Sequence, residues 1–264
     1  MRVDVSLAAP RPPDALSADL DRTRRTRSQV EALIADPSLL GPDFTPIRRL
    51  EATAPGLAPL LGWKATGRGT AGSGIADTLT LLEQAASVGL VERLDWAFRA
   101  HTFDVAVDAG LVGELHLTPE PETFGAPCPP RLAVSVLRGR RALTVCAELH
   151  DDGFADEARL LAAADEMGSW GWHLVYADLV GTPALPQAQR LADRLRPAYV
   201  QVDLSVPGRA TDARTASWIE TAQEVGASVM ALGVDTQAAL DTALALGATY
   251  GRGTLVGRAS SRPF

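Results

Sequence analysis

From Pro42 onward, short apolar runs alternate with longer stretches in which apolar residues recur every three or four positions. That alternation is the pattern of a parallel α/β fold. The runs Phe44–Leu50, Leu57–Trp63, Glu114–Thr118, Leu143–Leu149, His173–Leu179, Tyr199–Leu204, Ser228–Gly233 and Thr249–Leu255 predict strands, and eight strands is the number that closes a barrel. Helical spacing predicts helices over Ile75–Val88, Val91–Val107, Phe154–Met167, Pro186–Leu195, Ala210–Val225 and Thr236–Leu246. Ahead of them, Pro13–Asp36 carries Leu16, Leu20, Val30, Leu33 and Ile34 at helical spacing around a charged middle. The expected organisation is a flexible segment and helix over residues 1–40, then one barrel domain over residues 41–264. The stretch Lys64–Gly74, KATGRGTAGSG, reads as a flexible loop, and no Lys-Ser/Thr follows its glycines to make a phosphate cradle.

Composition narrows the partners. Of 264 residues, 46% are hydrophobic, enough for one large core. Acidic residues outnumber basic ones by 32 to 25, a net charge of -7, which argues against nucleic acid or anionic lipid as a partner. No apolar stretch reaches the length of a membrane span, so direct insertion is not expected. There are two cysteines, Cys128 and Cys146, and the second lies in an apolar run. This speaks against a disulfide framework or a structural zinc site and for a cytoplasmic location. Lys64 is the single lysine, hence the single candidate for a titratable amine.

Reactive residues of a parallel barrel sit at the C-terminal ends of its strands. Read in order, those ends carry Leu60 and Gly62, His116 and Thr118, Glu148 with His150 and Asp151, Asp178, Gln201 and Asp203, Leu232 and Asp235, and Arg252. Carboxylates are present, but apolar residues stand where a dense metal or acid-base cluster would need ligands.

The order of short motifs resembles the EAL domain of bacterial cyclic di-GMP phosphodiesterases from Phe44 to the C-terminus. FTPI (Phe44–Ile47) is similar to the family's YQPI, LAPLLGW (Leu57–Trp63) to EALLRW, and the segment ending in Leu94-Asp95-Trp96 to the family's Leu-Asp-Trp helix. LHLTPEP (Leu115–Pro121) resembles NLSP, AELHDD (Ala147–Asp152) LEITE, YADL (Tyr176–Leu179) LDDF and QVD (Gln201–Asp203) KID. MALGVDT (Met230–Thr236) resembles AEGVET, and GRGTLVGR (Gly251–Arg258) the closing QGYLFGRP. The resemblance implies a modified TIM (β/α)8 barrel of EAL type with an N-terminal helix.

Family members hydrolyse the dinucleotide with two Mg²⁺ or Mn²⁺ ions. The resemblance assigns this chemistry to positions held here by Ala58, Ala177, Gln201 and Leu232, which lack its charges, and phosphate or base contacts to Thr45, Gly62 and Arg252. Residual metal candidates are His116, Glu148 and Asp178. Arg252 is expected to pair with Glu148 or Asp178 and plug the mouth, and Lys64 to lie across from Gln201 without replacing the catalytic amine. The expectation is therefore a catalytically inactive EAL-like domain with no cofactor, Mg or Mn entering only if the site is active. It would act on another protein in cyclic di-GMP-related signalling, with a homodimer as an option. The alternatives are a receptor that binds cyclic di-GMP without cleaving it and a divergent metal-dependent phosphodiesterase.

Overall fold

A computed structural model describes residues 13–69 and 78–263. Its elements are α1 (Pro13–Ala35), β1 (Leu40–Arg49), β2 (Leu60–Gly69), α2 (Thr78–Ser87), α3 (Val91–Asp108), β3 (Glu114–Leu117), α4 (Ala133–Ala142) and β4 (Thr144–Leu149). There follow α5 (Glu157–Ser169), β5 (His173–Tyr176), α6 (Leu185–Leu195), β6 (Tyr199–Asp203), α7 (Ala213–Val225), β7 (Ser228–Leu232), α8 (Gln237–Ala245) and β8 (Tyr250–Gly251). The eight strands close into a barrel in sequence order. β1 departs from the parallel pattern, running antiparallel to both β2 and β8. The cause is its connection: residues 50–59 form a short turn with one 3-10 helix, too short for the crossover a parallel pair requires.

The β1–β2 hairpin decides which side chains of β2 enter the barrel. Its register jumps from Ile47 opposite Gly62 to Arg48 opposite Leu60, so Leu61 is the extra residue of a bulge. At Gly62 a Cβ would lie 2.2 Å from the carbonyl oxygen of Glu114 on β3, so only glycine lets these strands approach. Leu61 packs into the barrel interior with Ile47, Cys146, Val175, Tyr199 and Met230. Trp63 joins the layer between strands and helices, and the next residue, Lys64, points inward. A one-residue slip thus changes which face the later residues occupy.

β2 continues to Gly69, so Lys64–Gly69 is strand where a loop was expected. Burial alternates over its last residues, with Ala65, Gly67 and Gly69 buried and Thr66 and Arg68 exposed, a period of two that the glycines hide in the sequence. The rest of the expected loop lies outside the described residues. The helix α4 has no counterpart among the elements predicted from the sequence. It buries Val136 and brings Gly139 against Phe103, where a Cβ would come within 2.3 Å of the ring. α5 starts three residues later than Phe154, because Asp156 caps it by accepting from the Arg159 amide, while Asp151–Phe154 forms a 3-10 turn. The C-terminal part of α1 buries Val30, Leu33 and Ile34 in the main core. Arg27 donates to the Val88 carbonyl at 2.7 Å and Arg131 to that of Ile34 at 2.9 Å, which ties α1 to the ends of α2 and α4. Among the described residues no helix is long and apolar enough to cross a membrane.

Candidate functional site

Strand alternation places Glu114 and His116 of β3, Cys146 and Glu148 of β4, and Tyr199 and Gln201 of β6 on inward positions, with Lys64 of β2 beside them. Lys64, His116, Glu148 and Gln201 are buried. Glu148 is the centre of the upper half. Lys64 Nζ lies 2.6 Å from its Oε2 and donates at 2.6 Å to Thr118 Oγ1. Gln201 Nε2 donates to Oε1 at 2.9 Å, and His116 Nδ1 stands 3.4 Å from the same oxygen. In the lower half the other imidazole nitrogen, Nε2, is 3.1 Å from Glu114 Oε2. Tyr199 donates its hydroxyl to Glu114 Oε1 at 3.1 Å, and the Cys146 thiol approaches Oε2 at 3.3 Å. The barrel is therefore threaded by a polar column, Lys64–Glu148–His116–Glu114.

Electrostatics follow from that column. Burial would raise the Glu148 pKa, but the Lys64 ammonium, the His116 contact and the Arg252 charge outweigh it and hold the carboxyl well below its usual range. Burial lowers Lys64, with Glu148 opposing. Each charge supports the other, since neutralising one member alone leaves the other charge buried without a partner. Glu114 is likewise held low despite burial, by the groups that hydrogen-bond to it, whereas burial and the Glu114 charge push the Cys146 thiol up.

The sequence-derived residues distribute unevenly around this column. Ala58 sits in the turn before β2, its carbonyl accepting from Arg48 at 2.8 Å. Thr45 pairs with Lys64 across the hairpin, and Gly62 is pressed on the Glu114 backbone. Ala177 is buried and Leu232 packs against the interior cluster. Asp178 does not join His116 and Glu148 as a ligand set, because Arg209 takes it at 2.7 Å. Burial raises the Asp178 pKa and Arg209 opposes the rise.

One expectation is corrected, and one gains a detail. Arg252 makes no ion pair among the described residues; its charge is felt at Glu148, but the cation seated on that carboxylate is Lys64. Lys64 and Gln201 do stand on opposite sides, yet both reach the same carboxylate, one at each oxygen. The sequence reading also passed over Glu114, Cys146 and Tyr199, although each lies two residues before a residue it had singled out, the spacing that keeps a strand face. Arg209, the partner of Asp178, carries no such signal.

Beside the mouth, a cavity of about 170 Å³ opens between β2, α2 and α3, lined by Leu81, Leu82, Leu94 and Phe98 with Lys64 and Glu120 among its polar residues. Burial, Asp95, Asp152 and Glu122 push the Glu120 carboxyl up to about 7. Asp95 itself is paired with Arg99 and accepts from Thr123 at 3.0 Å.

A closed α/β barrel with an antiparallel opening hairpin and a glutamate-centred polar interior is the class these features define. Solved structures that match it include EAL domains. The EAL domain of Xanthomonas citri FimX, in complex with cyclic di-GMP, matches with a TM-score of 0.73 at 15% identity, over 92% of this chain and 96% of that one. The PaMucR phosphodiesterase, also a cyclic di-GMP complex, matches at 0.67 and 18%, over 89% and 97%. Klebsiella pneumoniae BlrP1, as a manganese and cyclic di-GMP complex, matches at 0.67 and 17%, over 85% of this chain and 57% of that chain. The chain has the EAL-type fold. No protein-family model and no curated relative matches its sequence.

Proposed function

We propose that this chain is a catalytically inactive EAL-type domain that works in bacterial cyclic di-GMP-related signalling by binding another protein, or a second copy of itself, in the cytoplasm. The observation that carries this reading is the Lys64 ammonium 2.6 Å from Glu148 Oε2. Glu148 is the carboxylate that the resemblance assigns to metal, and both of its oxygens are already engaged, one by Lys64 and one by Gln201.

The residues present do not fit a pair of divalent ions. Such ions need several carboxylate oxygens at about 2.0–2.6 Å. Here Ala58, Ala177 and Leu232 offer none, Asp178 is held by Arg209, Asp203 and Asp235 accept from the amides and hydroxyls of Ser205 and Thr254, and a cation occupies Glu148. The substrate side supports the same reading. Gly62 presents no cation to a phosphate, and Thr45 stands where the resemblance places a glutamine.

Titration calorimetry with cyclic di-GMP, with and without Mn²⁺, tests the proposal when paired with chromatography of the nucleotide. The expected result is neither heat nor linear product. Heat without product replaces the proposal by the receptor reading, and linear product refutes it in favour of a phosphodiesterase.

A further inference from the structure

Below the Glu148 layer, three donor atoms of different kinds converge. His116 Nε2 and Cys146 Sγ approach the same oxygen, Glu114 Oε2, at 3.1 and 3.3 Å. All three ligand atoms lie within 4.8 Å of one another, and among the described residues this is the group of His, Cys, Asp and Glu so arranged. Zinc bonds of about 2.0 Å to oxygen or nitrogen and about 2.3 Å to sulfur give tetrahedral edges of roughly 3.3–3.5 Å, close to the 3.1 and 3.3 Å of the two edges that meet at Glu114 Oε2. From these positions we infer that the floor of the barrel is a binding site for one zinc-like transition metal ion, held by Glu114, His116 and Cys146.

The surroundings agree with that assignment. His116 Nδ1 is buried without a hydrogen bond and faces Glu148 Oε1 at 3.4 Å. A metal on Nε2 makes Nδ1–H the donor to that carboxylate, the carboxylate–histidine–metal relay that orients ligating imidazoles. Without a cation between them, a neutral imidazole of that tautomer would set the Nε2 lone pair against the Glu114 oxygen lone pairs. Charge also balances. Glu114 and a Cys146 thiolate supply two negative charges against one divalent cation, while Glu148 remains neutralised by Lys64. Binding displaces the proton of the Cys146 thiol to solvent, because the thiolate is the form that ligates metal. His116 and Cys146 are fully buried, and Glu114, 19% exposed at its side chain, is the way in from the floor. A mixed N/O/S set selects zinc or cobalt over Mg²⁺ or Ca²⁺, which take oxygen. The site shares His116 with the mouth but uses two residues that the phosphodiesterase chemistry does not assign. It does not rest on the proposal of inactivity.

The test strips the full chain with a chelator and titrates Co²⁺ alone, then Zn²⁺. The expected result is one Co²⁺ per chain with a thiolate-to-cobalt absorption band, displaced by Zn²⁺. Cys146→Ser is expected to lose the band, Cys128→Ser to keep it, and Glu114→Gln to keep it with affinity weakened by roughly 100-fold. Urea unfolding of each variant shows that it is folded. Absence of binding, binding without the band, or a band unchanged in Cys146→Ser overturns the site and leaves His116 as a polar bridge between Glu114 and Glu148.

Discussion

Replacing Lys64 with methionine keeps an unbranched stem and removes the ammonium from a side chain 7% exposed, leaving Glu148, 1% exposed, without its main countercharge. Removing one member of a buried ion pair costs about 3–5 kcal/mol. Gln201 at 2.9 Å and His116 at 3.4 Å still face the carboxylate, which places the expected loss near the lower end, about 3 kcal/mol at pH 7. Urea unfolding followed by circular dichroism reads it as a fall in midpoint at unchanged slope. The double variant Lys64→Met with Glu148→Met removes both charges and is expected to recover most of that loss, since apolar replacement of a buried pair is often neutral or better.

The pH dependence separates charge from packing. In the parent chain Glu148 is held below its ordinary 4.5, so its contribution is complete above that value and is lost as the pH falls through the folded-state pKa. In Lys64→Met burial no longer has that ammonium to oppose it, while His116 and Arg252 still do, so the Glu148 pKa moves up from its position in the parent. Acidification then protonates Glu148 more readily in the folded variant than in the folded parent, and the deficit narrows as the pH falls from 7 toward 4. A single variant within about 0.5 kcal/mol of the parent at pH 7, or a deficit that does not change with pH, would refute the reasoning.

Two further outcomes concern neighbouring residues. Glu120, raised from 4.5 to about 7, binds more protons folded than unfolded over that window, so it lowers stability as the pH rises through it. Glu120→Gln is therefore expected to be more stable than the parent at pH 8 by about 1–2 kcal/mol, a figure reduced for the residue's partial exposure, and to show little gain at pH 4.5; a gain independent of pH excludes the ionisation as its source. Gly62→Ala forces a methyl against the Glu114 carbonyl and is expected to cost about 1–3 kcal/mol in urea unfolding, and Gly62→Arg at least as much. Stability equal to the parent in both would show that β2 and β3 can separate freely.

The barrel was legible because its signals are local and repeated. Apolar runs separated by helical spacing mark eight strands wherever they occur, and motif order adds the register. Boundaries fell where a cap or a pairing partner decided them: Asp156 moved the start of α5, and pairing with β1 carried β2 through residues whose glycines read as loop. The helix α4 escaped because its core contacts are one valine and one glycine, too few to make a periodic stripe. Within the site, Glu148 and Gln201 were found from their motifs, and Glu114, Cys146 and Tyr199 were reachable from them by a step of two.

Lys64 was not reachable in that way, and the reason bears on how the interior is balanced. From Leu61 inside to Trp63 outside, plain alternation would send residue 64 inward only if the face had first been reset; the unpaired residue at the bulge does that, and its cause is the contact between Gly62 and a strand over fifty residues away. Gly62 thus takes part in the step that turns the chain's single lysine toward Glu148. A cluster of carboxylates at positions 58, 177 and 232 would carry more negative charge than one ammonium can neutralise and would favour divalent cations. With alanine, alanine and leucine there, Glu148 is the carboxylate at that level facing Lys64, and one fixed positive charge meets it. The uncharged residues at those three positions and the seating of Lys64 on Glu148 are therefore a single electrostatic arrangement: the first makes the second sufficient, and the second explains how a glutamate is accommodated in a largely apolar barrel.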